Sequence, residues 1–126
     1  MKIRSCFVSN SSSSSYIIGV AVIDKKDRDT VESFLNNTDD MYYELVDGSG
    51  DVVESIAFDY NSVGIKVEAG DVAVVFREYK DADVDWDGHV IEDEDTYYFS
   101  GFEKFNDSCS QFFKEIKTEV GSGYNG

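Results

Sequence analysis

Tyr16 to Asp24, YIIGVAVID, is apolar at almost every position and rich in β-branched residues, the pattern of a strand buried on both faces. The period then changes. In KKDRDTVESFLNN, Val31, Phe34 and Leu35 fall at i, i+3 and i+4 behind a capping-type Asp27 or Asp29, which predicts a helix over about 27–37. MYYELV, a DGSG turn and DVVESIAFDY read as a hairpin, and SVGIKVE, an AGD turn and VAVVFREYK as a second pair of strands. DTYYFSGF reads as a further strand. NDSCSQFFKEIKTEVG puts Cys109, Phe112, Phe113, Ile116 and Val120 on one stripe, with Asn106 or Asp107 as cap and Gly121 as stop. That stripe predicts a second helix over about 107–120.

About six strands in hairpins and two helices on one face predict an α+β fold on a mostly antiparallel sheet. The expected organisation is a flexible Ser-rich segment 1–15, a single domain over 16–120 and a frayed tail 121–126. With 41% apolar residues, including nine Phe and eight Tyr, the chain can bury a core without staples. Cys6 and Cys109 sit in no metal or redox spacing, so free thiols in a reducing compartment are expected. The sequence holds no apolar run of the length a signal peptide or membrane span needs, so a cytoplasmic protein without a membrane partner is expected.

Charge changes the picture most. The formal net charge is −15, and it is regional. Between Arg28 and Lys66 there are nine acidic residues and no basic one, and Asp81 to Asp95 adds eight more, again without Lys or Arg. Those two stretches carry −17, which leaves +2 for everything else.

The second stretch has two readings. DVDWDGHVIEDE opens like a calcium loop, with Asp83, Asp85 and Asp87 as carboxylate ligands, Gly88 at the sharp turn, the His89 carbonyl and a closing Glu94. Such a loop belongs between helices, and VAVVFREYK and DTYYF on its flanks favour strands. The other reading is a hairpin turning at Asp87–Gly88. It opposes Trp86 to His89 and Asp81 to Glu94, and in the same register brings Lys80 to Asp95 and Phe76 to Phe99, which makes 72–102 one ribbon. Asp81, Asp83, Asp85 and Asp87 then share one face at intervals of about 7 Å. With Glu92, Asp93, Glu94 and Asp95 they form the expected partner-binding surface. Like charges opposed in a ladder repel, so the ribbon invites a cation from outside, either a metal or a basic protein.

Enzyme chemistry finds little footing, and no enzyme is expected. His89 is the one histidine, there is no nucleophile elbow, P-loop or dinucleotide fingerprint, and no Cys/His metal spacing. Direct nucleic-acid binding is opposed by the sign of the charge.

At the N-terminus, F-V-S-N-S-S-S-S-S at residues 7–15, after a basic MKIR, resembles a recurrent opening of small uncharacterised proteins from tailed bacteriophages and some bacteria. Tyr16 keeps the large aromatic that follows the serines in those relatives, and Cys6 stands where a glycine is expected. The resemblance covers about the first eighteen residues, and no activity comes with it. It implies a phage accessory protein acting in a bacterial cytoplasm. The leading expectation is therefore a binding module whose acidic surface mimics nucleic acid and occupies a basic site on a host nucleic-acid-binding protein. The alternatives are a protein with calcium as cofactor at Asp83, Asp85, Asp87, His89 and Glu94, and a virion or assembly component. Otherwise no cofactor is expected.

Overall fold

The computed structural model describes residues 13–38, 41–57, 61–81 and 99–124. It is an α+β fold in three layers. The central layer is an antiparallel sheet in the order β2-β5-β1-β6, from β1 (Ser13–Asp24), β2 (Tyr42–Asp47), β5 (Asp71–Asp81) and β6 (Phe113–Tyr124). One face carries α1 (Arg28–Leu35) and α2 (Ser100–Cys109); the other carries a two-stranded sheet of β3 (Val52–Ile56) and β4 (Ser62–Lys66).

This layering explains the unbroken apolar run of β1. Ala21 and Ile23 point to the helices, joining Val72, Val74 and Phe76 of β5 with Val31, Leu35, Phe105 and Cys109. Tyr16, Ile18, Val20 and Val22 point the other way, onto Ala57, Val63, Ile65 and Val67. A central strand with a layer on each side has no solvent face, so alternation disappears.

The expected hairpin and the expected second strand pair are both replaced by crossings between layers. β2 pairs with β5 and β3 pairs with β4, so DGSG does not close a hairpin on itself. Instead Gly48 N–H donates to Asp71 O (2.8 Å) and Gly50 N–H to Val67 O (2.8 Å), and Gly50 takes a φ of 87°. Those bonds tie the crossing to the start of β5 and to the residue that follows β4. The return crossing is a turn at Glu68–Asp71, closed by Asp71 N–H to Glu68 O (3.2 Å), with Gly70 at a φ of 95° that a Cβ would strain.

The first helix is shorter than expected: a 3-10 turn at Lys25–Asp27 leads into α1 at Arg28. The second is displaced. In place of a helix over 107–120, α2 runs Ser100–Cys109, a 3-10 turn follows at Ser110–Phe112, and Phe113–Tyr124 is a strand. Residues 99–102 of the expected strand DTYYFSGF cap and open that helix. Gly121, read as a helix stop, lies opposite Tyr16 within the sheet, and the Tyr16 ring fills the space its Cβ would take. Pairing begins at Ser13 and runs to Tyr124, with Ser15 only 2% exposed, so it reaches beyond 16–120 at both ends.

One buried carboxylate and one cluster of three charges are built into the frame. Glu78, 5% exposed on the helix face, accepts from Gly101 N–H (3.2 Å) and Phe102 N–H (2.8 Å). It thus caps α2 from a neighbouring strand, where Phe99 at the N-cap position makes no side-chain cap bond. At the far end of the sheet, Asp24 and Asp71 are directly opposed across β1 and β5. A bulge in β6 leaves Lys114 as the extra residue, and its ammonium sits 2.7 Å from Asp71 and 3.7 Å from Asp24.

Candidate functional site

Of the acidic stretch singled out in the sequence, Asp81 is described: it is the last residue of β5, opposite Ser14. Asp83, Asp85, Asp87, His89, Glu92, Asp93, Glu94 and Asp95 lie outside the described residues, as do the proposed Asp87–Gly88 turn and the calcium loop. The single ribbon over 72–102 is corrected. Phe76 sits between Gly19 of β1 and Tyr43 of β2, and Phe99 is the cap of α2. Both sides of β5 are occupied from Val72 to Arg77, so no hairpin partner can enter there.

The first acidic stretch does come together. Its helix and two of its strands, α1, β2 and β3, gather around the β2 edge of the main sheet. Arg28 of α1 bonds Asp47 of β2 at 2.7 Å, and the Tyr43 hydroxyl donates to Asn36 Oδ1. Asp29, Glu44, Asp47, Asp51 and Glu54 are all exposed on this side. Asp39, Asp40 and Asp59 lie outside the described residues.

Beside that edge is a groove of about 310 Å³. Its floor is two directly opposed pairs on the second-sheet face, Tyr42 with Arg77 and Glu44 with Val75. Its wall is Glu54 to Ile56 of β3. Among the described residues β3 is paired to β4 on one side only, and its other backbone edge borders the groove. Two bonds hold the wall in place: Ser55 Oγ donates to Phe76 O at 2.8 Å, and Arg77 Nη1 donates to Ile56 O at 3.4 Å. Tyr42 is 65% exposed and Ile56 49%, so the mouth is apolar, while Glu44 and Glu54 bring two negative charges against the one positive charge of Arg77 on the floor.

These residues can bind; they carry little means of bond-making. Among the described residues that line the groove there is no histidine or cysteine. Cys109 packs in the helix-side core, where burial pushes its thiol pKa up, away from a reactive thiolate. Among the described residues no group of three or more His, Cys, Asp and Glu could hold a metal ion, and no helix is long and apolar enough to cross a membrane. Glu44 and Glu54 belong to the acid-only run read from the sequence. Tyr42, Ile56 and Arg77 were not singled out, because only the crossing of β3 over β5 brings them together.

Searches against protein-family models, curated proteins and solved structures match nothing to this chain.

Proposed function

We propose that this chain is a protein-binding module that takes a basic partner along the β2 edge of its main sheet. The observation that carries this is the groove. Two carboxylates, Glu44 and Glu54, border an edge of β3 that no other described strand pairs with and where Arg77 occupies the Ile56 carbonyl, with exposed Tyr42 and Ile56 at the mouth. An extended segment bearing Lys or Arg fits that combination, with backbone bonds to β3, apolar anchors and two countercharges. Asp81 is four residues beyond Arg77 on the same strand, about 13 Å at the usual strand rise. The acidic run read from the sequence begins at Asp81, and its carboxylates would add to the same field. Together with the phage-type N-terminus, this favours a host nucleic-acid-binding protein as partner, its basic site filled by carboxylates in place of phosphates.

The test is a pull-down from bacterial lysate at low and high salt, followed by binding measurements on the purified partner. Two neutralised variants are compared with the parent: Glu44→Gln with Glu54→Gln, and Asp81→Asn, Asp83→Asn, Asp85→Asn with Glu92→Gln. Each should weaken binding about tenfold or more, and the association rate should lose most of its salt dependence. DNA should compete with the parent for the partner. Equal affinity of parent and variants at low and moderate salt would overturn the reading. A calcium titration run alongside separates loss of charge from loss of a metal.

A further inference from the structure

We propose that the outer edge of β6 is a self-association surface, on which a second copy of this chain pairs antiparallel about Thr118. The strand order places β6 at the rim opposite β2, so this surface is separate from the groove and independent of its function. β6 is twelve residues long and, among the described residues, pairs with β1 alone. Exposed edges are usually blunted by brevity, proline, bulges or lysines of one sign. The chain has no proline, and the only bulge in the β1–β6 pairing lies at its Phe113 end. The charges along β6 alternate in sign: Lys114, Glu115, Lys117, Glu119.

The faces are fixed by pairing with β1. Ile116, Thr118 and Val120 lie opposite Ala21, Gly19 and Ile17, on the helix face; Glu115, Lys117 and Glu119 lie opposite Val22, Val20 and Ile18, on the other. Ile116 is 37% and Val120 48% exposed. Neither Lys117 nor Glu119 has an ion-pair partner among the described residues.

A symmetric antiparallel pair must centre on one residue, and the candidate centres are not equivalent. Centring on Lys117 opposes it to itself and sets Glu115 against Glu119. Centring on Glu119 opposes two carboxylates. Centring on Ile116 sets Glu115 against Lys117 but leaves Val120 without an apolar partner on a strand. Centring on Thr118 opposes Lys117 to Glu119 and Ile116 to Val120, each twice by symmetry, with Thr118 meeting itself. That register satisfies both faces at once. The two-fold axis runs through the sheet at Thr118, so the helix layers of both copies lie on the same side of a continuous eight-stranded sheet.

One strand pair is a narrow interface, so the expected dissociation constant is micromolar. Sedimentation velocity across a concentration series reads it. Lys117→Glu and Glu119→Lys should each weaken self-association about tenfold or more, because every opposed pair then carries like charges. Mixing the two variants restores both attractive pairs, so the mixture should dimerise nearly as tightly as the parent. Circular dichroism checks that each variant is folded. Should either fail to fold, Thr118→Cys in a Cys6→Ser background serves instead: mild oxidation should cross-link it through the symmetry axis, whereas Lys117→Cys in that background should stay uncrosslinked. The proposal is overturned if the parent stays monomeric to about 1 mM. It is also overturned if the single variants self-associate like the parent, if their mixture is no tighter than either alone, or if only Lys117→Cys cross-links.

Discussion

Glu78 brings a carboxylate into the helix-covered face of the sheet, where an unpartnered charge would cost several kcal/mol. The Gly101 and Phe102 amides, at the positive end of α2, make it tolerable. Gly101 matters to this arrangement, since a Cβ there would sit 3.1 Å from Glu78 Oε1 and 3.0 Å from Met41 Cβ. Glu78→Ala should cost about 2 kcal/mol or more in chemical denaturation, because it strips charge-assisted acceptors from buried amides. Glu78→Gln keeps one oxygen and should cost less. Hydrogen exchange at Gly101 and Phe102 should quicken in both, and unchanged protection would mean that the cap does not hold α2. Lys114 offers a test with pH. Its bond to Asp71 raises its pKa above 10.5, and the Lys26 amide, followed by Lys114, lowers that of Asp24 below 3.8. A raised pKa stabilises below 10.5 and fades as pH climbs through the folded value; a lowered one stabilises above 3.8 and fades as pH falls through it. The Tm difference between the parent and Lys114→Met should therefore be level through neutral pH and shrink at both extremes.

Strand β6 shows what the sequence could and could not disclose. KEIKTEV alternates with period two, Ile116, Thr118 and Val120 against Glu115, Lys117 and Glu119, yet the same residues with Cys109 and Phe112 also fill a helical stripe. Local pattern could not arbitrate. What decides is β1, whose backbone needs a partner on its second side and whose Gly19 and Gly121-facing Tyr16 fit a neighbouring strand closely. The start of α2 was hidden for a related reason: its cap comes from Glu78, more than twenty residues upstream, so no capping residue precedes it. By contrast β1, α1 and the α+β class were legible, since each follows from apolar periodicity alone. The groove was not, because Arg77 and Ile56 meet only through the crossing between layers. If β6 is the second partner of β1, truncation after Phe112 should abolish cooperative unfolding, since it uncovers an edge of a strand buried from Ser15 to Ile23. A truncated chain that still melts cooperatively would show the strand to be dispensable.

On the scale of the whole molecule, the sheet separates two kinds of edge. The β2 side gathers exposed carboxylates with a groove, and the β6 side carries alternating charge and two exposed aliphatic residues. A partner drawn by long-range attraction would reach the first, and a self-complementary one the second, so raising salt should loosen the former more steeply. The strand order has a further consequence in time. β1 is made first, but its neighbours come from residues 71–81 and 113–124, and Ser13 meets Tyr124. Loop closures of that length are slow, and little local pairing can stand in for them. During synthesis the most apolar strand of the chain emerges early and has neither neighbour until most of the sequence has followed. A nascent chain paused before residue 113 thus holds an open, sticky edge, and its yield in a cell will depend on how quickly a chaperone covers Tyr16 to Ile23 or the ribosome delivers β6.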